Sequence, residues 1–121
     1  MDRFFFAAGS VAAFVAVALG AFGAHSLKTR LSADMLDIFE VGVRYQMYHA
    51  LGLIAVAWAI TRWPERALNG AGWAFIIGII IFSGSLYLLS LTGMRLLGAI
   101  TPIGGIAFLI GWAILVWSIG R

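Results

Sequence analysis

The chain has 121 residues, which is enough for one domain. Hydrophobic residues make up 63% of it and charged residues 11%, whereas a soluble domain is about half apolar and roughly a quarter charged. A chain this short exposes most of its residues, so its surroundings must be lipid. Its eight basic residues are scattered without forming a basic patch, which argues against a nucleic-acid partner despite the net charge of +3. The lack of cysteine excludes disulfides and thiolate metal sites.

The first predicted element is an apolar run over residues 4–24 that contains no charge. About 20 such residues cross a hydrocarbon core of about 30 Å as a helix. The flanking charges and small residues are similar to those of a secretory signal peptide, whose apolar part is only about 7–15 residues long. The length of the run therefore predicts a membrane span.

A polar connection follows over residues 25–44. Within it, Ser32 precedes a helical pattern with Asp34 in its first turn, which is typical of a helix start. We predict a short amphipathic segment before helix 2 that either lies along the membrane surface or extends the second span out of it.

Three further spans are predicted over residues 45–61, 68–91 and 101–119. Pro64 ends the second, while Thr101 as N-cap and Pro102 at the first helical position begin the fourth. We therefore predict an all-α fold, a single domain over residues 1–121 that forms an integral membrane bundle of four transmembrane helices. Small residues at every fourth position predict the packing face of the first span: Ala8, Ala12, Ala16, Gly20 and Ala24.

Polar side chains collect where the first and third spans end and where the second and fourth begin. In an up-and-down bundle these ends lie on the same membrane face. A polar group inside a span is costly unless it is paired or wetted, which makes it a candidate for function. Counting back from Arg62 predicts His49 about 9 Å inside the membrane. The candidate ligand-binding residues are His25, Arg44, Tyr45, Tyr48, His49, Ser83, Ser85, Tyr87, Arg95 and Thr101.

No specific catalytic chemistry follows from these residues. Ser83 and Ser85 lack a nucleophile elbow, and no carboxylate lies inside a span to orient a histidine or couple transport to a cation. We expect a non-enzymatic protein, without metal or cofactor, whose polar end binds a membrane lipid, a small amphiphile or a partner, which includes another copy of the chain. The alternatives are a transporter or channel-like protein, a histidine-based cofactor site, or polar groups that only bond within the bundle.

Four blocks of sequence resemble the signature segments of the YgdD-like family. They are GAFGAHSL at residues 20–27, YQMYHAL at 45–51, FSGSLY at 82–87 and GAITPIGG at 98–105. Members of that family are small inner-membrane proteins of four helices with a domain of unknown function. The resemblance therefore implies a four-helix fold and a multi-pass location in the inner (plasma) membrane, and it implies no activity.

Overall fold

The computed structural model describes residues 1–120, and over that range all regular structure is helical, which confirms the all-α prediction. Short 3₁₀ turns at Leu27–Thr29 and Arg95–Ala99 lie in two of the connections. The long helices are α1 (Asp2–His25), α2 (Ala33–Arg62), α3 (Asn69–Thr92) and α4 (Thr101–Gly120).

The helix ends follow local sequence signals in most places. The Ser32 side chain accepts a hydrogen bond from the Met35 N–H at 3.2 Å, so it caps α2 as predicted. From there α2 runs without a break to Arg62, and the amphipathic segment is its N-terminal extension. The predicted N-cap at Thr101 is not observed, because its hydroxyl contacts the Ser85 hydroxyl at 2.6 Å and the Leu97 carbonyl at 3.3 Å.

Three of the four long helices are long and apolar enough to cross a membrane: α1, α3, and α4 together with the 3₁₀ turn before it. The 30-residue helix α2 is the longest of the four, but polar residues such as Gln46 and His49 lower its mean hydropathy. Composition and length thus support three of the four predicted spans.

Each outer helix packs mainly on its neighbour in sequence. Helix α1 lies along α2, α4 lies along α3, and α2 and α3 pack on each other. The shared core contains Phe5, Leu53, Val56, Phe75 and Phe108. Large apolar side chains cover the outer sides of α1 and α4, as a surface that faces acyl chains requires.

Aromatic rings packed on glycines bring the helices together. The Phe75 ring of α3 lies between Gly52 of α2 and Gly111 of α4, and the Phe108 ring of α4 lies against Gly78 of α3. A Cβ atom at Gly78 or Gly111 would overlap a ring, and one at Gly52 would lie only 3.0 Å from the Phe75 ring. Because close packing drives helix association in lipid, these contacts fix how α2, α3 and α4 fit together.

The packing face of α1 differs from the predicted stripe. Its buried residues are Phe5, Gly9, Ala16 and Gly23. A strict four-residue repeat drifts around the helix by about 40° per step at 3.6 residues per turn, so Ala8 is only partly buried and Ala24 is exposed. The closest approach is at Gly9, where an added Cβ would lie 2.7 Å from the Ala50 carbonyl oxygen.

Helix α3 contains a π-helical turn at Ile79–Ser83. The Phe82 backbone lies against Gly104 of α4, while the Ser83 hydroxyl donates a hydrogen bond to the Gly42 carbonyl of α2 at 2.7 Å. The turn therefore coincides with the place where α3 contacts both neighbours closely, and such turns frequently occur at functional sites.

Candidate functional site

A hydrogen-bonded group of side chains, the inner network, connects all four helices; it consists of Gln46, His49, Ser83, Tyr87 and Trp112. The Gln46 amide nitrogen donates to the Ala12 carbonyl of α1 at 2.8 Å. Its amide oxygen accepts from the Tyr87 hydroxyl of α3 at 2.6 Å. One side chain of α2 thus bonds to helices on both sides.

His49 forms the other half of the network. The indole N–H of Trp112 in α4 donates to its Nε2 at 3.0 Å, and its Nδ1 lies 2.8 Å from the Tyr45 carbonyl. Since an indole nitrogen can only donate, Nε2 is the acceptor, Nδ1 carries the proton and the ring is neutral. The ring also stacks on Phe108 with centroids 3.5 Å apart. Both nitrogens are occupied, so neither is available to a metal or haem iron in this arrangement.

The serines and Thr101 also bond inside the bundle. Ser83 is fully buried, and its hydroxyl donates to the Gly42 carbonyl. The Ser85 hydroxyl lies 2.6 Å from the Thr101 hydroxyl. Within residues 1–120, every buried side-chain nitrogen or oxygen has a hydrogen-bond partner. In lipid, where no water replaces a missing partner, this saturation stabilises the bundle.

The contacts between α1 and α2 set the position of the inner network along the bundle axis. The contact of Gly23 with Phe39 and that of Gly9 with Ala50 set the register of α1 against α2. His49 is ten residues from the Phe39 level, about 15 Å along the axis at 1.5 Å per residue. The network is therefore near the middle of α1.

The remaining predicted residues lie at the surface. His25, Arg44, Tyr45, Tyr48 and Arg95 are all exposed. Arg95 lies 3.9 Å from the Asp34 carboxylate of α2, in a pair with about three-quarters of each side chain exposed. The ten candidates therefore form an inner and an outer group, and His25, at the end of α1, is about 20 Å from His49 along the axis.

Two residues of the network were absent from the predicted set. Gln46 precedes His49 by three residues, so helical periodicity could have placed both on the same side of α2. Trp112 lies in α4, and its indole bonds to His49. No local pattern in α4 indicates that partner, 63 residues away.

The Tyr87 hydroxyl provides a direct test of the network. We expect Tyr87→Phe to destabilise the bundle by about 0.6–1.7 kcal/mol, the range found for hydrogen bonds between helices in lipid, because Gln46 loses its partner. The measurement is the unfolding midpoint in mixed detergent micelles. Tyr48→Phe is the control, since more than half of that side chain is exposed, and an equal loss in both variants would contradict the role of the Gln46 bond.

Two grooves open at the other end of the bundle, where the chain passes from α2 to α3. The larger, of about 940 Å³, lies between α4 and the connection around Arg66. The smaller, of about 510 Å³, lies between α1 and α2 near Phe6 and Trp58. Neither is lined by any of the ten predicted residues.

Comparison with known proteins identifies a family to which the chain is similar. A family profile described as a protein of unknown function (DUF423) matches residues 19–105. The UPF0382 membrane protein SSP2132 of Staphylococcus saprophyticus is 48% identical over 114 residues, which cover 94% of each chain. The UPF0382 membrane protein YwdK of Bacillus subtilis is 46% identical over 115 residues, also 94% of each chain.

No solved structure matches significantly. The resemblance to a membrane family of unknown function is confirmed, although the matches carry the names DUF423 and UPF0382 rather than YgdD-like. Because the profile covers most of the chain and the relatives nearly all of it, the chain belongs to the DUF423 family of proteins of unknown function, which here includes UPF0382 membrane proteins.

Proposed function

We propose that this protein is a non-enzymatic, four-span membrane protein that binds the phosphate of an anionic phospholipid through Arg44. The supporting observation is that Arg44, an exposed cation of α2, has no acidic partner within residues 1–120. A charged group inside the membrane is costly unless it reaches a counter-charge.

The antiparallel packing of α2 along α1 supports a fourth span. The two helices are in contact from Gly9 beside Ala50 to Gly23 beside Phe39, so a bilayer crossed by α1 also encloses that part of α2. Gln46 and His49 face inward, bonded to neighbouring helices, and lower the mean hydropathy without facing lipid. We propose the inner (plasma) membrane as the location, in line with bacterial relatives named as membrane proteins.

The proposed lipid site, the Arg44 patch, consists of Arg44, Tyr45 and Tyr48. The Gly20–Val43 contact sets Arg44 about 9 Å inside the C-terminal end of α1, so that its long side chain can extend toward the headgroups. Tyr48 lies one turn deeper on the same side of α2, and its ring centroid is 5.5 Å from that of Tyr45. The guanidinium can bind a phosphate with two hydrogen bonds while the rings contact the upper acyl chain.

We also propose that the protein catalyses no reaction. Ser83 is fully buried and bonded to a backbone carbonyl, so its hydroxyl cannot reach a substrate without opening the bundle. His49 has both nitrogens occupied and no serine as a hydrogen-bond partner. These bonds are those of helix packing, which leaves the exposed Arg44 patch to bind the lipid.

Native mass spectrometry with equimolar phosphatidylglycerol and phosphatidylcholine tests the Arg44 patch. We expect the wild type to retain phosphatidylglycerol preferentially and Arg44→Gln to bind it about tenfold more weakly, since a charge-assisted hydrogen bond contributes about 1.5–3 kcal/mol.

The matched control is Arg30→Gln, which removes an equally exposed cation from the connection between α1 and α2. It should leave the lipid preference unchanged. If Arg44→Gln and Arg30→Gln weaken retention equally, net charge governs binding and the Arg44 patch is not the site.

A further inference from the structure

We propose that the larger groove at the opposite end of the bundle binds a zwitterionic phospholipid with a primary ammonium, of the phosphatidylethanolamine class. The groove has the volume of a ligand site, an apolar wall and a rim on which Arg66 and Glu65 supply charges of opposite sign. This inference shares with the proposed function only the assumption that the bundle spans a bilayer.

The shape of the groove fits an amphiphile. Its wall on α4 is apolar and includes Ile110, Ala113 and Trp117, and Trp117 is 70% exposed. Its opposite side is the connection from α2 to α3, which Pro64 keeps out of the helix. The apolar wall can contact the acyl chains of a lipid inside the bilayer, and the polar rim can contact its headgroup at the surface.

The charged residues of the rim determine which lipid headgroup the groove can bind. Arg66 and Glu65 both line the groove, and the Arg66 Nε lies 3.7 Å from a Glu65 carboxylate oxygen. This pair joins a partly buried guanidinium to an exposed carboxylate through only one guanidinium nitrogen, so the other nitrogens of Arg66 can donate to a phosphate. The carboxylate, 64% exposed, can accept hydrogen bonds from an ammonium. A purely anionic headgroup would face repulsion from Glu65, and a choline headgroup has no N–H to donate.

The test is native mass spectrometry of the full chain with phosphatidylethanolamine, phosphatidylcholine and phosphatidylglycerol of identical acyl chains. We expect one phosphatidylethanolamine per chain in the wild type. Arg66→Gln should weaken that adduct about tenfold, and Glu65→Gln should abolish the preference over phosphatidylcholine. Ala113→Phe, which fills the groove from an exposed position on its wall, should remove the adduct.

Two controls separate this site from the Arg44 patch. Ala18→Phe adds the same ring at an exposed position of α1 that lines neither groove, and it should keep the adduct, as should Arg44→Gln. Retention of phosphatidylethanolamine by Ala113→Phe would overturn the inference. Equal binding of the three lipids by the wild type would also overturn it, because the rim would then not distinguish headgroups.

Discussion

Replacement of Gly104 by alanine should be the most damaging single-methyl change in the bundle. The new Cβ would lie 2.8 Å from the Phe82 Cα and closer still to its backbone nitrogen, so no side-chain rotation can relieve the contact. Helices α3 and α4 must separate at the π-helical turn. We expect a loss of about 3 kcal/mol, at the upper end of the usual cost of overpacking. The measurement is unfolding in mixed micelles with a rising fraction of denaturing detergent.

The adjacent glycine is the matched control. A Cβ at Gly105 would meet only the Phe82 ring, at 3.9 Å, which is an ordinary van der Waals distance. Gly105→Ala should therefore be neutral or slightly stabilising, because alanine favours a helix over glycine by up to about 1 kcal/mol. The predicted close approach is wrong if the two alanine variants unfold at the same detergent fraction.

Removal of the His49 side chain should have an effect at least as large as that of Gly104→Ala. His49→Ala leaves a cavity beside Phe108 and deprives the Trp112 indole N–H of its acceptor. Truncation of a buried side chain of this size costs about 2–4 kcal/mol, to which the unpaired donor adds. His25→Ala removes the same side chain from an exposed position and should change the free energy of unfolding by less than about 0.5 kcal/mol.

A double-mutant cycle isolates the hydrogen bond itself. With His49→Ala and Trp112→Phe combined, we expect a coupling energy of about 0.6–1.7 kcal/mol between the two positions. Additive effects would mean that His49 stabilises the bundle by packing alone. A loss in His49→Ala no larger than that in His25→Ala would contradict the buried position of the ring.

The ends of the helices can be predicted from the sequence because the residues that set them lie within one turn of each end. Ser32 predicts the start of α2, and Pro64 predicts an end close to that at Arg62, since capping and the missing proline N–H act within one turn. The face of α1 was predicted less well. Its buried positions depend on where large side chains of other helices lie, such as the Phe39 ring beside Gly23, and α1 itself does not encode that contact.

In the candidate site, too, local sequence predicts some features, whereas contacts between helices could not be predicted. Arg44 and Tyr48, four residues apart, share an exposed side of α2, as helical periodicity alone indicates. The partners of the buried residues were not predictable, because the bond from Trp112 to His49 depends on how two helices distant in sequence pack together. Whether a polar residue binds a ligand or another helix is decided by that packing.

The pairing of α1 with α2 and of α3 with α4 has a consequence for biosynthesis. Each outer helix finds its main partner immediately before or after it in the chain, so two hairpins can form as the ribosome delivers successive segments. The bonds from Gln46 to Tyr87 and from Trp112 to His49 cross between the hairpins. The first can form once α3 has been inserted, whereas the bond from Trp112 requires the last helix, so we expect it to lock the two halves together as the final step of assembly.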